Sequence, residues 1–192
     1  MLTERFERAL VYANELHREQ RRKGSGVPYV SHLLAVCALT LEYGGGEDEA
    51  IAALLHDAIE DQGGDAARAE ILRQFGPRVT EIVEGCTDAD TWPKPPWRGR
   101  KEEYIRHVER ASASVRLVSA CDKLHNARSV VMDYRILGEA LWSRFTGGRS
   151  GTLWYYRAMA NALRAAGVSP VVEELERVVT EMERLAGSNA SA

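Results

Sequence analysis

The chain has 192 residues, 45% hydrophobic and 28% charged, and its 25 basic and 28 acidic side chains leave a formal net charge of −3. That composition fits one ordinary globular domain and excludes a disordered or fibrous chain; the slight acidity gives no global attraction to nucleic acid or to an anionic membrane. The opening Met1-Leu-Thr-Glu-Arg-Phe-Glu-Arg8 has no apolar signal core, and no stretch reaches the roughly 18 apolar residues of a membrane span, so a cytoplasmic protein is expected.

Almost every periodic segment reads as helix. Phe6, Leu10, Ala13 and Leu16 recur at three- and four-residue spacing. A loop follows at Lys23-Gly-Ser-Gly-Val-Pro28, then a helical pattern from Tyr29 to Tyr43, stopped by Gly44-Gly-Gly46. The spacing predicts a third helix over Glu47–Glu60, ended by Gln62-Gly-Gly-Asp65, and shorter helices over Ala66–Phe75 and Arg78–Cys86 with Pro77 at a helix start. Thr91–Gly99 holds Trp92-Pro-Lys-Pro-Pro-Trp97 and reads as an ordered loop, because two large aromatics are costly to leave in water. Helices are then expected over Arg100–Arg110, Ser114–Met132, Gly138–Phe145, Thr152–Ala166 and Val171–Leu185, with Gly147, Gly148 and Gly151 as a flexible connection. No strand-like alternation, repeat or low-complexity segment is found. The expected fold is all-α, about ten helices in a single domain over residues 1–186, with a frayed tail over 187–192.

Cys37, Cys86 and Cys121 form no CxxC pair and lie on apolar backgrounds, so buried free thiols in a reducing compartment are expected.

The chemistry concentrates at His56-Asp57. These two polar residues follow the apolar run Ile51-Ala-Ala-Leu-Leu55, where burying them is expensive unless they are paired or metal-bound. On a continuous helix Glu60 stacks on His56 and Asp61 on Asp57, which crowds three acids at the negative end of the helix dipole, where acids are disfavoured. A divalent cation resolves that crowding; the alternative is acids that face water. Asp122 ends the apolar segment Val115–Cys121, with Asn126 one turn later, and needs a cation or an arginine partner. His32 gains weight only beside His56, Asp57 and Asp122. Two imidazoles and two carboxylates suit Mn²⁺, Fe²⁺ or Zn²⁺. His17 and His107 read as solvated or structural. His125 points away from Asp122 and Asn126 on a helical wheel and is left outside the metal shell.

These residues resemble the HD superfamily, whose motif is H…HD…D, and more narrowly the hydrolase domain of the RelA/SpoT family. The resemblance rests on Gln20-Arg-Arg-Lys23…Pro28-Tyr-Val-Ser-His32, Leu54-Leu-His-Asp-Ala-Ile-Glu-Asp61 and Ala120-Cys-Asp-Lys-Leu-His-Asn126. It implies the compact helical HD fold and a manganese-dependent enzyme of the stringent response, with Fe²⁺, Zn²⁺ or Co²⁺ as alternative ions. Such an enzyme removes the 3′-pyrophosphate from (p)ppGpp. By motif position His32, His56, Asp57 and Asp122 are the metal ligands, and Glu60 and Asp61 activate and orient the attacking water. Arg22 and Lys23 hold the nucleotide, with Asn126 near the ribose, the adjacent Lys123 in the same substrate site and Tyr156 lining the pocket. Arg98, Arg100 and Lys101 are a second basic cluster, with Arg100 and Lys101 placed at the distal phosphates. The length leaves no room for a synthetase domain, which implies a stand-alone small alarmone hydrolase of the metazoan SpoT-homologue type. The partner expected is a nucleotide, not a nucleic acid or a membrane; a homo-oligomer is allowed. Three alternatives stay open: adenosine alarmones (p)ppApp, NADPH or ordinary nucleotides as substrate, and a non-catalytic nucleotide sensor.

Overall fold

The computed structural model describes residues 1–89, 91 and 93–188, the last by its backbone alone. Trp92 and most of the expected frayed tail lie outside the described residues. Among the described residues ten α-helices follow in order: α1 (Glu4–Leu16), α2 (Val30–Glu42), α3 (Glu47–Leu55), α4 (Ala58–Gln62), α5 (Gly64–Phe75), α6 (Pro77–Cys86), α7 (Trp97–Arg110), α8 (Ala113–Leu137), α9 (Gly148–Ala166) and α10 (Pro170–Ser188). A 3-10 helix, Gly138–Arg144, joins α8 to α9. No strand occurs among the described residues; an isolated bridge pairs Arg21 with Pro28 and closes the loop between α1 and α2. The all-α expectation therefore holds. No helix among the described residues is long and apolar enough to cross a membrane.

The helices start where side chains can satisfy free backbone N–H groups. Thr3 accepts from Arg5 N at the head of α1, Ser112 accepts from Val115 N at the head of α8, and Pro77 opens α6. α3 is the centre of the core: Ala50 to Leu55 are all buried. It packs against α1, α2, α6 and α8, and α8 packs against α10. A helix enclosed on all sides cannot be amphipathic, which is why α3 is apolar from Ala50 to Leu55, after an acidic first turn of Glu47, Asp48 and Glu49.

Several boundaries depart from expectation, among them the C-terminal one, where α10 runs through Gly187 and Ser188, residues expected to fray. The helix expected over Glu47–Glu60 breaks at His56-Asp57, with Asp57 at φ −98°, ψ 0°, the sparsely populated bridge region. α8 continues past Met132 to Leu137, and α7 begins at Trp97 rather than Arg100. Gly151 is not part of a flexible connection but lies inside α9. The reason is packing: the Trp97 ring rests on Gly147 and Gly151, where an added Cβ would come within 2.7 Å and 3.2 Å of it. Gly147→Ala is therefore expected to destabilise the fold by about 1–3 kcal/mol through overpacking and to alter tryptophan fluorescence. Gly99→Ala, in α7 with nothing near its Cβ, is the control for thermal unfolding and is expected to be neutral or slightly stabilising. Equal melting temperatures for the two variants would contradict this.

Candidate metal centre and substrate cavity

Three places in the fold converge. The first turn of α2 supplies His32, the α3–α4 junction supplies His56 and Asp57, and the middle of α8 supplies Asp122. One nitrogen or oxygen atom from each of His32, His56 and Asp57 lies within 4.8 Å of the others. Asp122 Oδ1 approaches His32 Nε2 at 3.2 Å and His56 Nε2 at 3.7 Å. Asp57 Oδ2 lies 3.0 Å from His56 Nε2 and 3.7 Å from His32 Nε2. All four side chains that the sequence singled out as ligands thus meet at one point.

The donor set fits a divalent cation. His56 Nδ1 donates to Ala53 O at 2.8 Å, which leaves Nε2 as the atom facing the carboxylates. That Nε2 is buried and makes no hydrogen bond among the described residues, although Asp57 Oδ2 is close. Two imidazole lone pairs aimed at two carboxylates repel unless a positive charge lies between them. The pKa directions express the same demand. Burial opposes protonation of His56, yet the Asp57 and Asp122 carboxylates outweigh it and hold its pKa well above the ordinary value. Burial pushes the His32 pKa down. Burial also works against ionisation of Asp57 and Asp122, but His56 beside the first and Lys123 beside the second keep both carboxyls below the usual range.

An outer layer orients these groups. Tyr29 OH donates to Asp57 Oδ2 at 2.6 Å. Lys123 Nζ donates to Asp122 Oδ2 and Asn126 Nδ2 to Asp122 Oδ1, both at 2.5 Å. Arg22 Nη2 in turn donates to Asn126 Oδ1 at 2.9 Å. His125 stays outside the inner shell, but it is not turned away. Three helical steps leave it about 60° from Asp122, and its Nδ1 lies 2.8 Å from His32 Nδ1. Burial, His32 and Arg22 push the His125 pKa down to about 4, and the neutral ring can accept a hydrogen bond from His32 Nδ1–H. His17 is structural, not solvated: it is buried, hydrogen-bonded to Gln20 and stacked on Tyr29. His107 bonds Gly85 O on the exterior.

The two acids of the motif diverge. The break at His56-Asp57 puts Glu60 and Asp61 in the first turn of a new helix, α4, with Asp57 as its N-cap. The dipole argument made for a continuous helix is therefore reversed in sign. Glu60 lines the cavity and accepts from Lys94 Nζ at 2.7 Å. Burial and the nearby Asp88 carboxylate raise its pKa, with Lys94 opposing. Asp61 instead accepts from Gln20 Nε2 at 2.9 Å.

Beside the cluster opens a cavity of about 610 Å³. Arg22, Lys23, Arg100, Lys101, Lys123, Asn126 and Tyr156, the residues expected to bind substrate, all line it, as do Arg144, Trp97 and Tyr155. Arg100 and Lys101 both pair with Asp88, which is 5% exposed in its side chain. Lys123 lies between the Tyr104 and Tyr155 rings. The wall is cationic although the chain as a whole is acidic.

A family description, HD domain, matches residues 9–154. The chain belongs to the HD-domain family. This HD domain is 39% identical to the Xenopus tropicalis guanosine-3′,5′-bis(diphosphate) 3′-pyrophosphohydrolase MESH1 over 122 residues, 62% of this chain and 65% of that protein. It is 36% identical to the human protein of the same name over the same shares. The matched part thus spans just under two thirds of those relatives. A solved structure described as a metazoan ortholog of SpoT that hydrolyses ppGpp superposes with a TM-score of 0.78 at 27% identity, covering 94% of this chain and 97% of that one. A Listeria monocytogenes structure gives 0.70 at 29% identity, covering 78% and 96%.

Sequence reasoning missed several site residues of this HD domain. Tyr29 lay inside a quoted motif but carried no role. Lys94 sat in the proline-rich loop, and Asp88 just after α6, where only the tertiary fold brings them to Glu60, Arg100 and Lys101. An HD domain implies a divalent metal, and the His–His–Asp cluster is where this chain could hold one.

Proposed function

We propose that the chain hydrolyses the 3′-pyrophosphate of guanosine alarmones, converting (p)ppGpp to GDP or GTP and pyrophosphate. The observation that carries this reading is the juxtaposition of the His–Asp cluster, Glu60 and a cationic cavity of nucleotide size. The activity named for the MESH1 relatives supports it. In this reading His32, His56, Asp57 and Asp122 hold one divalent ion, Mn²⁺ first and Fe²⁺, Zn²⁺ or Co²⁺ as alternatives. Such an ion makes water more acidic and neutralises phosphate oxygens. Compartment and assembly follow the same reading: a cytoplasmic enzyme acting on a free nucleotide, with the homo-oligomer left to solution measurement.

The chain's own residues divide the remaining work. Glu60 takes the proton of the attacking water, a task suited to a carboxylate whose burial has raised its basicity. Asp61, through Gln20, fixes the turn that aims Glu60. Arg22 and Lys23 hold the nucleotide, and Asn126 lies at the sugar. Arg100 and Lys101, fixed by Asp88, meet the charge of the leaving pyrophosphate. Lys123 stabilises the ligand carboxylate of Asp122, and Tyr156 closes the pocket.

A pH dependence follows. Glu60 must be ionised to accept a proton, so activity falls as pH drops through its pKa. Lys94 opposes the rise of that pKa. Lys94→Ala is thus expected to move the acid limb of kcat/KM to higher pH; an unmoved limb contradicts the role of Glu60. The activity itself is tested by incubating the protein with Mn²⁺ and ppGpp, ppApp, NADPH or deoxynucleoside triphosphates and identifying the products. Pyrophosphate from ppGpp is the expected result. Orthophosphate release indicates a phosphatase instead, and tight nucleotide binding without any product indicates a sensor.

A further inference from the structure

The four proposed ligands are not held alike. His56 is set by a backbone carbonyl, Ala53 O, which can only accept, so its Nδ1 carries the hydrogen and its Nε2 the lone pair. Asp57 is held by the Tyr29 hydroxyl, and Asp122 by Lys123 and Asn126. His32 has no partner of fixed role. Its ring is 1% exposed, and its Nε2 faces Asp122 Oδ1 at 3.2 Å. Its Nδ1 meets, among the described residues, only His125 Nδ1 at 2.8 Å. The two ring planes are tilted by 37°, with centroids 4.9 Å apart. Two nitrogens at that distance share one hydrogen, and the ring that carries it decides what His32 offers at its other nitrogen. With the hydrogen on His32 Nδ1, Nε2 is a lone pair. With the hydrogen on His125 Nδ1, the neutral His32 ring carries its own on Nε2 and has no lone pair there.

We infer that His125 is a positioning residue for the metal centre: its Nδ1 accepts from His32 Nδ1–H and so keeps the His32 Nε2 lone pair directed at Asp57 and Asp122. The inference rests on the metal-centre reading above. A metal-bound imidazole almost always donates its second N–H to an oxygen, which fixes its tautomer and ring orientation and makes it a more basic ligand. Here the acceptor is another imidazole, which can take either role, so His32 is only as well set as His125. His125 is not itself a ligand, because it meets His32 at Nδ1 and not at the Nε2 that faces the carboxylates. α8 holds it in place: Leu124 on one side is buried in the core, and Asn126 on the other is tied to Asp122 and Arg22. With Nδ1 accepting, the hydrogen of the neutral His125 ring is on Nε2, the remaining polar atom of a side chain that lines the cavity.

The competing role for His125 is simple packing of its ring, and the experiment separates the two. Mn²⁺ affinity, read from the electron paramagnetic resonance of the free ion, needs no turnover. His125→Leu fills the space but offers no acceptor, and is expected to weaken binding by about 10–100-fold. His125→Asn places a side-chain oxygen near the position of the imidazole Nδ1, and is expected to restore most of that loss. An equal loss in both variants marks packing and overturns the inference. Wild-type affinity in His125→Leu overturns it too, and leaves the metal centre standing. Should His125→Leu fail to fold, nitrogen NMR of the histidine-labelled wild type loaded with diamagnetic Zn²⁺ decides. A scalar coupling between the two Nδ1 atoms, with the hydrogen on His32, is expected; no coupling, or the hydrogen on His125 Nδ1, overturns the inference. A wild type that binds neither ion overturns the metal-centre reading and this inference with it.

Discussion

Asp57→Ala is expected to abolish turnover, by about 10³-fold or more in kcat, while the protein remains folded. Asp57 Oδ2 lies within 3.7 Å of both imidazole Nε2 atoms, so alanine removes the oxygen that closes the cluster on its open side. The structural cost is small for a specific reason. The Asp57 side chain is 20% exposed, and the Tyr29 hydroxyl that loses its acceptor can turn to water. His56, the charge partner of Asp57, keeps the Asp122 carboxylate at 3.7 Å. The expected pattern is loss of product formation with a melting temperature near that of the wild type. Retention of more than about a tenth of the activity would mean that Asp57 is not part of the catalytic centre.

Asp122→Ala is expected to act differently, by breaking the fold's charge balance. Lys123 donates to Asp122, has a side chain only 14% exposed, and sits between two tyrosine rings. Burial alone would lower its pKa, but Asp122 outweighs burial and holds the pKa well above the ordinary value. Removing Asp122 leaves that ammonium enclosed without its counter-charge and deprives Asn126 of its acceptor. Breaking a buried pair from one side typically costs about 3–5 kcal/mol. For a chain of this length that is a fall of about 10 °C in melting temperature. Adding Lys123→Met to Asp122→Ala is expected to restore most of the loss, because an apolar side chain of similar length needs no partner. A single variant as stable as the wild type would show that Lys123 reaches solvent freely.

Much of this was legible in the sequence, for physical reasons that differ by element. α1, α8 and α10 announce themselves through periodic apolar residues or long uninterrupted runs, and the Gly44–Gly46 stop is chemically explicit. Three of the four proposed ligands, His56, Asp57 and Asp122, were legible as polar residues that their apolar neighbours would otherwise strand, and His32 only in their company. The break at His56-Asp57 was not. No glycine or proline marks it, and the local propensity favours one continuous helix. What interrupts it is a tertiary demand: His56 folds back onto Ala53 O, and Asp57 turns to the hydroxyl of Tyr29. The diverging fates of Glu60 and Asp61 follow from that break. Asp88 and Lys94 were illegible because their meaning lies wholly in what the fold brings beside them. The helical wheel left His125 outside the metal shell but could not show its contact across the helix interface with His32. Trp97 was expected in a loop, and the two glycines that receive its ring looked like a flexible connection until the packing was seen.

The most direct test of the metal centre is a crystal of the Mn²⁺-soaked protein with diffraction recorded at the manganese edge. A single anomalous peak within coordination distance of His32 Nε2, His56 Nε2 and the carboxylates of Asp57 and Asp122, absent in Asp57→Ala, is the expected result. No peak at that point, or a peak elsewhere on the surface, would contradict the central claim that these four side chains are brought together to hold one ion.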